Sequence, residues 1–339
     1  MKYATYILAA VVLLVAIAAF WTRPNKATES DFLLDTYVSV TVYGSGAKKA
    51  AQAALDRVRE LDGQLSAFRS GSDVANINRA GANVPTSVSE ECFWLIRRAL
   101  ALSERTGGAF DITIKPVMDL WGFGSTSQAV PQPQALLEAQ EKVGYQNVWL
   151  DEENKTVTLL GEGMAIDLGG IAKGYCADAA AEVLRQAGVE HAYLDFGGNV
   201  VTLGEMPQGL SDRVRTGTKT RPFVVGIQDP AGARGDLADT YTVQTSPCAI
   251  VTSGGYERYF EEDGKRYHHI IDPATGKQPE NGIVSVTVIG PSSETADALS
   301  TALFVLGPDG CAQVDDLFDE VMFIFDTGEV MKIYPQGEQ

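Results

Sequence analysis

A carboxylate and a hydroxyl stand at helical spacing in the segment ETADALST, residues 294–301. Asp297 and Thr301 are four residues apart, so they face the same side of a helix. Such a pair suits a hard cation like Mg²⁺, whose remaining ligands would be phosphate oxygens and backbone carbonyls. The segment alone also fits an ordinary helix start, where both side chains cap the backbone or remain solvated.

A second segment, DLGGIAKG from Asp167, places a glycine pair at the start of a predicted helix. Glycines let a ligand approach the backbone closely, and the free N–H groups of a helix N-terminus attract phosphate. Lys173 adds a positive charge at the same place. The segment matches neither GxxxxGK[ST] nor GxGxxG, and a tight turn with a surface lysine is the alternative interpretation.

Two of the three histidines, His268 and His269, precede a predicted turn in the segment YHHIIDPATG, residues 267–276. Proline fixes φ and glycine tolerates positive φ, which favours a turn at DPATG. A histidine there could act as a base or bind phosphate, and it could equally be a packing residue. Ser253 in TSGGY could pair with one of them as a nucleophile, although the pattern GxSxG is absent there.

A fourth segment, GAFDIT at residues 108–113, combines small, aromatic and acidic side chains. Ala109 and Phe110 could line the face of a planar ring while Asp111 bonds its polar edge. The start of a buried strand is the competing interpretation.

Periodic apolar positions predict the elements that carry these segments. Helical patterns cover residues 47–68, 89–107, 131–143, 172–188 and 295–307, and strand or hairpin patterns cover 36–44, 147–160, 191–204, 222–228, 241–246, 249–253, 283–290 and 321–326. Polar stretches over 69–81 and 205–222 are predicted as loops. Hairpins and helices mix without a regular βαβα alternation, so we expect an α+β fold with largely antiparallel sheets and packed helices.

Composition excludes several classes of protein. The chain has 339 residues, of which 45% are apolar and 21% charged, typical of a globular protein of one large or two ordinary domains. Its net charge of −17 argues against nucleic-acid binding, because it would repel a phosphate backbone. Three histidines and four widely spaced cysteines argue against a histidine-rich metal cage, a zinc site and a haem attachment.

Residues 3–21 carry no charge and, at 19 residues, approach the ~20 that span a bilayer as a helix. Residues 1–21 are therefore predicted to be an N-terminal membrane anchor or a secretory signal, and 22–30 a polar linker to one domain over 31–339. We expect that domain at the extracytoplasmic face of the cytoplasmic membrane. A core helix is the alternative, but the segment has no polar face.

Six segments together resemble the ApbE family, the FAD:protein FMN transferases. They occur in the family's order and spacing between about residues 34 and 325: GAFDITIKPVMDLWGFG, AIDLGGIAKGYCADAA, LDFGGNVVTLG, TSGGYERYF, HHIIDPATGKQP and ADALSTALFVLG. Each is weak alone, whereas six linked motifs are specific. The resemblance also implies the ApbE-like variant of the α+β fold.

The resemblance implies a reaction and its partners. FAD would be the substrate, and its FMN part would pass to a Thr or Ser hydroxyl of an acceptor protein as a phosphoester, with Mg²⁺ required and AMP released. Acceptors in the family are often subunits of membrane redox complexes or secreted reductases. Many members are lipoproteins, but this chain has no cysteine before Cys92 to carry a lipid.

The resemblance also implies roles for particular residues. Asp297 and Thr301 would bind Mg²⁺ through their side chains, helped by backbone oxygens near Gly170 and Ser300, and His269 would help to deprotonate the acceptor. FAD would contact Leu34, Phe68, Ala109, Phe110, Asp111, Asp167, Lys173 and Ile271. Phe68 stands where the family often has Tyr, and Leu34 begins a Leu-Asp-Thr where many members have Met-Gly-Thr.

Two other functions fit the same residues. A Mg²⁺-dependent FAD diphosphatase would use water in place of the acceptor hydroxyl and release FMN and AMP. A membrane-anchored flavin carrier would bind FAD without turnover, although it has no need of the pair Asp297 and Thr301.

Overall fold

A computed structural model describes residues 6, 25–123, 125, 127–230, 232, 237–245 and 248–335. The predicted anchor, residues 1–21, lies outside this part of the chain except for residue 6. Among the described residues, no helix has both the length and the apolar character needed to cross a bilayer.

The centre of the fold is one eight-stranded sheet in which every neighbouring pair is antiparallel. In spatial order its strands are β1 (Lys26–Leu33), β2 (Thr36–Tyr43), β6 (His191–Phe196), β7 (Asn199–Leu203), β12 (Ala249–Gly254), β15 (Ile283–Gly290), β16 (Glu320–Phe325) and β17 (Val330–Ile333).

Three long helices cover the sheet: α1 (Ala47–Leu65), α6 (Ala172–Gln186) and α8 (Ser293–Leu306). α1 packs on β1 and β2, α6 on β6 and β7, and α8 on β12 and β15, while α6 contacts both other helices. The apolar faces explain this layer, because Ala51, Leu55 and Val58 of α1 are fully buried. Every second residue of β2 is buried from Val38 to Val42, as expected for a strand with one face on the core.

The other helices and strands surround this core. The helices are α2 (Asp73–Ala80), α3 (Glu90–Arg105), α4 (Lys115–Trp121), α5 (Pro133–Gln140) and α7 (Leu210–Thr216). The remaining strands form the small sheets β3 (Thr86–Ser87), β5 (Thr156–Leu159) and β4 (Val148–Asp151); β8 (Met206–Pro207) with β9 (Thr220–Arg221); β10 (Phe223–Gln228) with β11 (Leu237–Thr245); and β13 (Tyr259–Glu262) with β14 (Lys265–His268).

The α+β class with largely antiparallel sheets is confirmed, whereas three local predictions were wrong. The linker ends earlier than predicted, because β1 begins at Lys26. β1 was missed because it is a polar strand at the edge of the sheet, with little apolar periodicity. The predicted loop 69–81 contains α2, whose N-terminus is capped by the Ser72 side chain. Val74 and Ile77 are the only buried residues of this helix. The stretch 205–222 contains α7 between β8 and β9, with no buried residue in that helix.

Candidate active site

A cavity of about 740 Å³ opens where α6 and α8 meet the ends of the central strands. This volume is within the usual range for ligand sites. Nearly all of the residues predicted for the site line it: Leu34, Phe68, Ala109, Phe110, Asp111, Asp167, Gly170, Lys173, His269, Ile271, Asp297 and Thr301. Ser300 is the exception, since it lies fully buried behind Ser253, and their hydroxyl oxygens are 2.7 Å apart.

Asp297 links α8 to the start of α6. Its carboxylate accepts hydrogen bonds from the Lys173 ammonium at 3.1 Å and from the Gly174 N–H at 2.9 Å. Asp297 is only 2% exposed, so the alternative of a solvated helix-surface residue is wrong. The two helices can meet here because residue 174 is glycine: a Cβ at this position would overlap with the Ser293 carbonyl oxygen.

Oxygen donors gather beside this carboxylate. The Thr301 hydroxyl lines the cavity close to Gly170, and it lies 3.5 Å from the Asp297 carbonyl. Lys173 also donates to the Gly169 carbonyl at 3.2 Å, so its ammonium group lies between a carboxylate and a backbone oxygen. In the described part of the chain, no group of three or more His, Cys, Asp or Glu could hold a metal. A cation here would therefore depend on one carboxylate, a hydroxyl and carbonyls, a donor set that suits Mg²⁺.

The loop around Phe110 forms the neighbouring part of the wall. Asp111 caps a short helical turn, and its carboxylate accepts from Thr113 N–H at 2.7 Å and Tyr145 N–H at 2.9 Å. Burial raises the pKa of Asp111, while these hydrogen bonds act in the opposite direction. The Phe110 ring packs against Gly170 so closely that a Cβ there would lie 3.1 Å from it.

His269 is held by the backbone of Arg258. The Arg258 carbonyl accepts from the His269 N–H at 3.1 Å and lies 3.3 Å from the imidazole Nδ1. A carbonyl can only accept, so this contact assigns the proton to Nδ1 and leaves Nε2 as an acceptor. Desolvation, together with the nearby Arg258 charge, lowers the pKa of His269 to about 3 and keeps the ring neutral at pH 7.

His268 has a different environment from its neighbour. Its Nδ1 accepts from the Ile270 N–H at 3.3 Å, and its ring packs edge-on against Phe304 with centroids 5.4 Å apart. Burial lowers its pKa to about 4. His268 does not line the main cavity, which leaves His269 as the histidine available to a ligand there.

The rim of the cavity is formed by Phe68 and by the turn between β1 and β2. Phe68 is 57% exposed, and the Lys115 ammonium lies 4.7 Å from its ring centroid. Leu34 and Asp35 have φ angles of 54° and 56°, which are left-handed conformations rare for such residues. At the inner end of the site, the partly buried Asp167 accepts from the Gly169 N–H at 2.8 Å, and burial raises its pKa.

Several lining residues were not assigned in the sequence. Asp195 lies near the end of β6, Gly197 and Gly198 form the turn from β6 to β7, and Tyr256, Glu257 and Arg258 follow β12. Their segments, LDFGG and GGYER, belong to the recognised motifs, but spacing alone did not show which side chains face the cavity. Among the residues that the structure describes, the lining holds eight carboxylates and two cationic side chains, Lys173 and Arg258.

Comparison with known proteins gives relatives along almost the whole chain. The profile of the ApbE family matches residues 34–325. The FAD:protein FMN transferase of Treponema pallidum is 37% identical over 315 residues, covering 89% of this chain and 85% of that protein. The FAD:protein FMN transferase of Klebsiella pneumoniae is 36% identical over 288 residues, covering 84% and 85%.

Solved structures agree with these relatives. The crystal structure of the ApbE protein from Thermotoga maritima has a TM-score of 0.79 at 35% identity and covers 91% of this chain and 96% of its own. The flavin transferase ApbE from Vibrio cholerae has a TM-score of 0.77 at 27% identity and covers 93% and 98%. The chain therefore belongs to the ApbE family.

Proposed function

We propose that this protein transfers FMN from FAD to a Thr or Ser hydroxyl of an acceptor protein, with Mg²⁺ bound and AMP released. The observation that carries the proposal is the convergence of Asp297, Thr301, Lys173 and a neutral His269 on one cavity. The relatives that match most of the chain bear the name of this activity.

The proposed step is a displacement at phosphorus. The acceptor oxygen forms a bond to the phosphorus of the FMN half, the bond from that phosphorus to the bridging oxygen breaks, and AMP departs with the bond's electron pair. The proton of the hydroxyl passes to a base. No oxidant or reductant takes part, and the flavin ring is carried unchanged.

His269 supplies the base in this scheme. Its Nε2 lone pair is free because Nδ1–H donates to Arg258, and its low pKa keeps it unprotonated at neutral pH. The hydrogen bond from Nδ1 to the Arg258 carbonyl also fixes the orientation of the imidazole, as the aspartate does for the histidine of a serine protease triad.

Asp297, Thr301 and a backbone oxygen at Gly170 would hold the cation, with Ser300 supporting Asp297 by donating to its carbonyl at 2.9 Å. When bound there, Mg²⁺ would offset the negative charge of the diphosphate and of the departing AMP. Lys173 and Arg258 add positive charge to a cavity whose other charged lining residues, within the described part of the chain, are carboxylates. Neutralisation is needed, because eight carboxylates would repel a diphosphate.

We further propose that residues 1–21 anchor the enzyme and that its domain works at the extracytoplasmic face of the membrane. Its acceptors would then be subunits of membrane redox complexes or exported reductases. Membrane fractionation of the full chain, with protease added from outside, tests this location, and protection of the domain in intact cells would contradict it.

The transfer reaction is tested by incubating the protein with FAD, with and without Mg²⁺, in the presence of extracts that contain candidate acceptors. Mass spectrometry should find FMN on a Thr or Ser of an acceptor only when Mg²⁺ is present. Release of FMN that is never diverted into protein would instead identify a diphosphatase. FAD that stays intact with Mg²⁺ would identify a carrier.

A further inference from the structure

A second cavity of about 610 Å³ lies directly beside the first. We call it the side groove; its walls include Trp121, Pro131, Leu136, Tyr267 and Val284. Tyr256 lines both the side groove and the FAD cavity, and the consecutive residues His268 and His269 each line one of the two. The side groove therefore lies next to the place where an acceptor hydroxyl would meet its base.

A cluster of aromatic rings joins the two cavities. The centroid of the Tyr267 ring lies 5.6 Å from that of Trp121 and 5.3 Å from that of Phe260. The Phe123 ring centroid lies 5.7 Å from that of Phe260 and 6.4 Å from that of His269. The Trp121 indole N–H is fixed by a 2.9 Å hydrogen bond to the Gly276 carbonyl. A wall built this way is rigid and apolar, as binding surfaces for peptide segments are.

Among the described residues, the side groove is much less acidic than the FAD cavity. Its lining holds Lys265, Arg266 and Lys277 against Glu280 and Asp326, whereas two cations face eight carboxylates in the FAD cavity. Lys265 pairs with Glu280 at 3.4 Å and Arg266 with Glu261 at 3.6 Å, so in this part of the structure Lys277 is the lining cation that makes no ion pair. The chain as a whole carries a charge of −17. A carboxylate on an approaching segment would meet less repulsion here than at the FAD cavity, and it could pair with Lys277.

We propose that the side groove binds an extended segment of the acceptor protein, next to the Thr or Ser that receives FMN. The segment would place an apolar side chain against Tyr267 and at least one carboxylate toward the exposed Lys277. This inference rests on the proposed transferase function and adds to it the surface that selects the acceptor.

The test compares two double variants with the same change of net charge. Lys265→Glu with Lys277→Glu reverses the rim of the side groove, and Lys48→Glu with Lys49→Glu reverses two exposed lysines on α1 as the control. The probe is the acceptor found FMN-modified in the experiment above, both as the whole protein and as a peptide with Ala in place of the modified residue. FAD affinity, peptide binding and transfer rate against acceptor concentration are measured.

The groove variant should bind the peptide at least ~10-fold more weakly than the control and need correspondingly more acceptor for half-maximal rate. Its FAD affinity and saturated rate should match the control within about twofold, and the difference should shrink at high salt. If the two variants bind the peptide equally and transfer is intact, the groove proposal is wrong while the transferase function stands. If no acceptor is ever modified, the transferase function fails and the groove proposal fails with it.

Discussion

At the scale of single residues, Asp297 has two tasks that the sequence did not separate. It was expected to bind a cation from the surface of a helix, but it is buried and also caps α6 through Gly174 N–H. Asp297→Ala should therefore abolish transfer and also lower the free energy of unfolding by about 1–3 kcal/mol, because it leaves a buried donor unsatisfied. Urea denaturation measures the second effect.

Asp297→Asn is the matched control for this prediction. Its amide oxygen can still accept from Gly174, so most of the stability should return, while the lost charge should leave Mg²⁺ binding and transfer impaired. Transfer at the wild-type rate by either variant would remove Asp297 from the cation site.

His269 gives a second prediction, which concerns pH. An ordinary histidine would become protonated below about pH 6.5 and stop acting as a base. Because the pKa of His269 is lowered to about 3, the saturated transfer rate should show no inflection near pH 6.5 as the pH falls from 8 to 5. An inflection near 6.5 that disappears in His269→Ala would show that the ring titrates normally in the working enzyme.

His269→Ala should also slow transfer by ~10²–10⁴-fold with little change in FAD affinity. His268→Ala is the neighbouring control, and it should leave the bound-state rate nearly unchanged because His268 faces away from the cavity. A variant that loses FAD binding but keeps its bound-state rate would make His269 a ligand contact.

Arg258 carries the third prediction. Lys173 forms an ion pair with Asp297. Within the described residues, by contrast, no carboxylate lies within 4 Å of the Arg258 guanidinium, which donates a hydrogen bond to the Asp35 carbonyl at 3.4 Å. Arg258→Met should weaken FAD binding about tenfold, the loss expected for one charge-assisted bond to phosphate, and leave riboflavin binding unchanged. Titration calorimetry with both ligands, and Arg221→Met as an exposed control, checks it; equal loss for riboflavin would contradict it.

Motif residues could be placed from the sequence because six segments converge in order. Their partners could not. Lys173 and Asp297 lie 124 positions apart, and the Arg258 carbonyl that orients His269 leaves no trace in the type of any side chain. Contacts of this kind depend on tertiary packing, which local spacing does not encode.

At the scale of elements, α6 and α8 cap each other. Asp297 of α8 accepts from Gly174 N–H of α6, while Asp178 of α6 accepts from the N–H groups of Ser293 at 3.1 Å and Glu294 at 3.0 Å. Each helix thus satisfies the free donors at the other's N-terminus. This exchange holds together the residues proposed for the cation site, which come from two distant segments.

Gly174→Ala tests whether that close approach is required. The new methyl group would overlap with the Ser293 carbonyl, so the helices must separate, and both stability and transfer should fall. Gly63→Ala in α1 is the control, because its Cβ would meet no atom within 4 Å, and it should raise stability by roughly 0.5–1 kcal/mol. Thermal denaturation of both variants decides; full stability and activity in Gly174→Ala would contradict the helix contact.

The elements that were predicted well are those with strong apolar periodicity, such as α1, α8 and β15. β1 and α2 were missed for one reason: their sequences KATESDFL and DVANINRA bury few apolar side chains. Such elements form because a neighbour supplies their partner, as β2 does for β1 along eight residue pairs from Lys26 to Leu33.

At the scale of the whole molecule, the boundary of the folded part decides how the N-terminal segment can be removed. Deleting residues 1–24 should leave the fold and FAD turnover intact, because β1 begins at Lys26. Deleting 1–30 removes five residues of β1, along with their pairing to β2. The turn at Leu34 and Asp35, which lines the FAD cavity, would then lose its support on one side. The longer deletion should therefore unfold at lower temperature and bind FAD more weakly, as measured by thermal denaturation and titration side by side. Equal behaviour of the two truncations would show that β1 is dispensable. Loss of FAD turnover after deletion of residues 1–24 would show that the segment before Lys26 belongs to the catalytic domain.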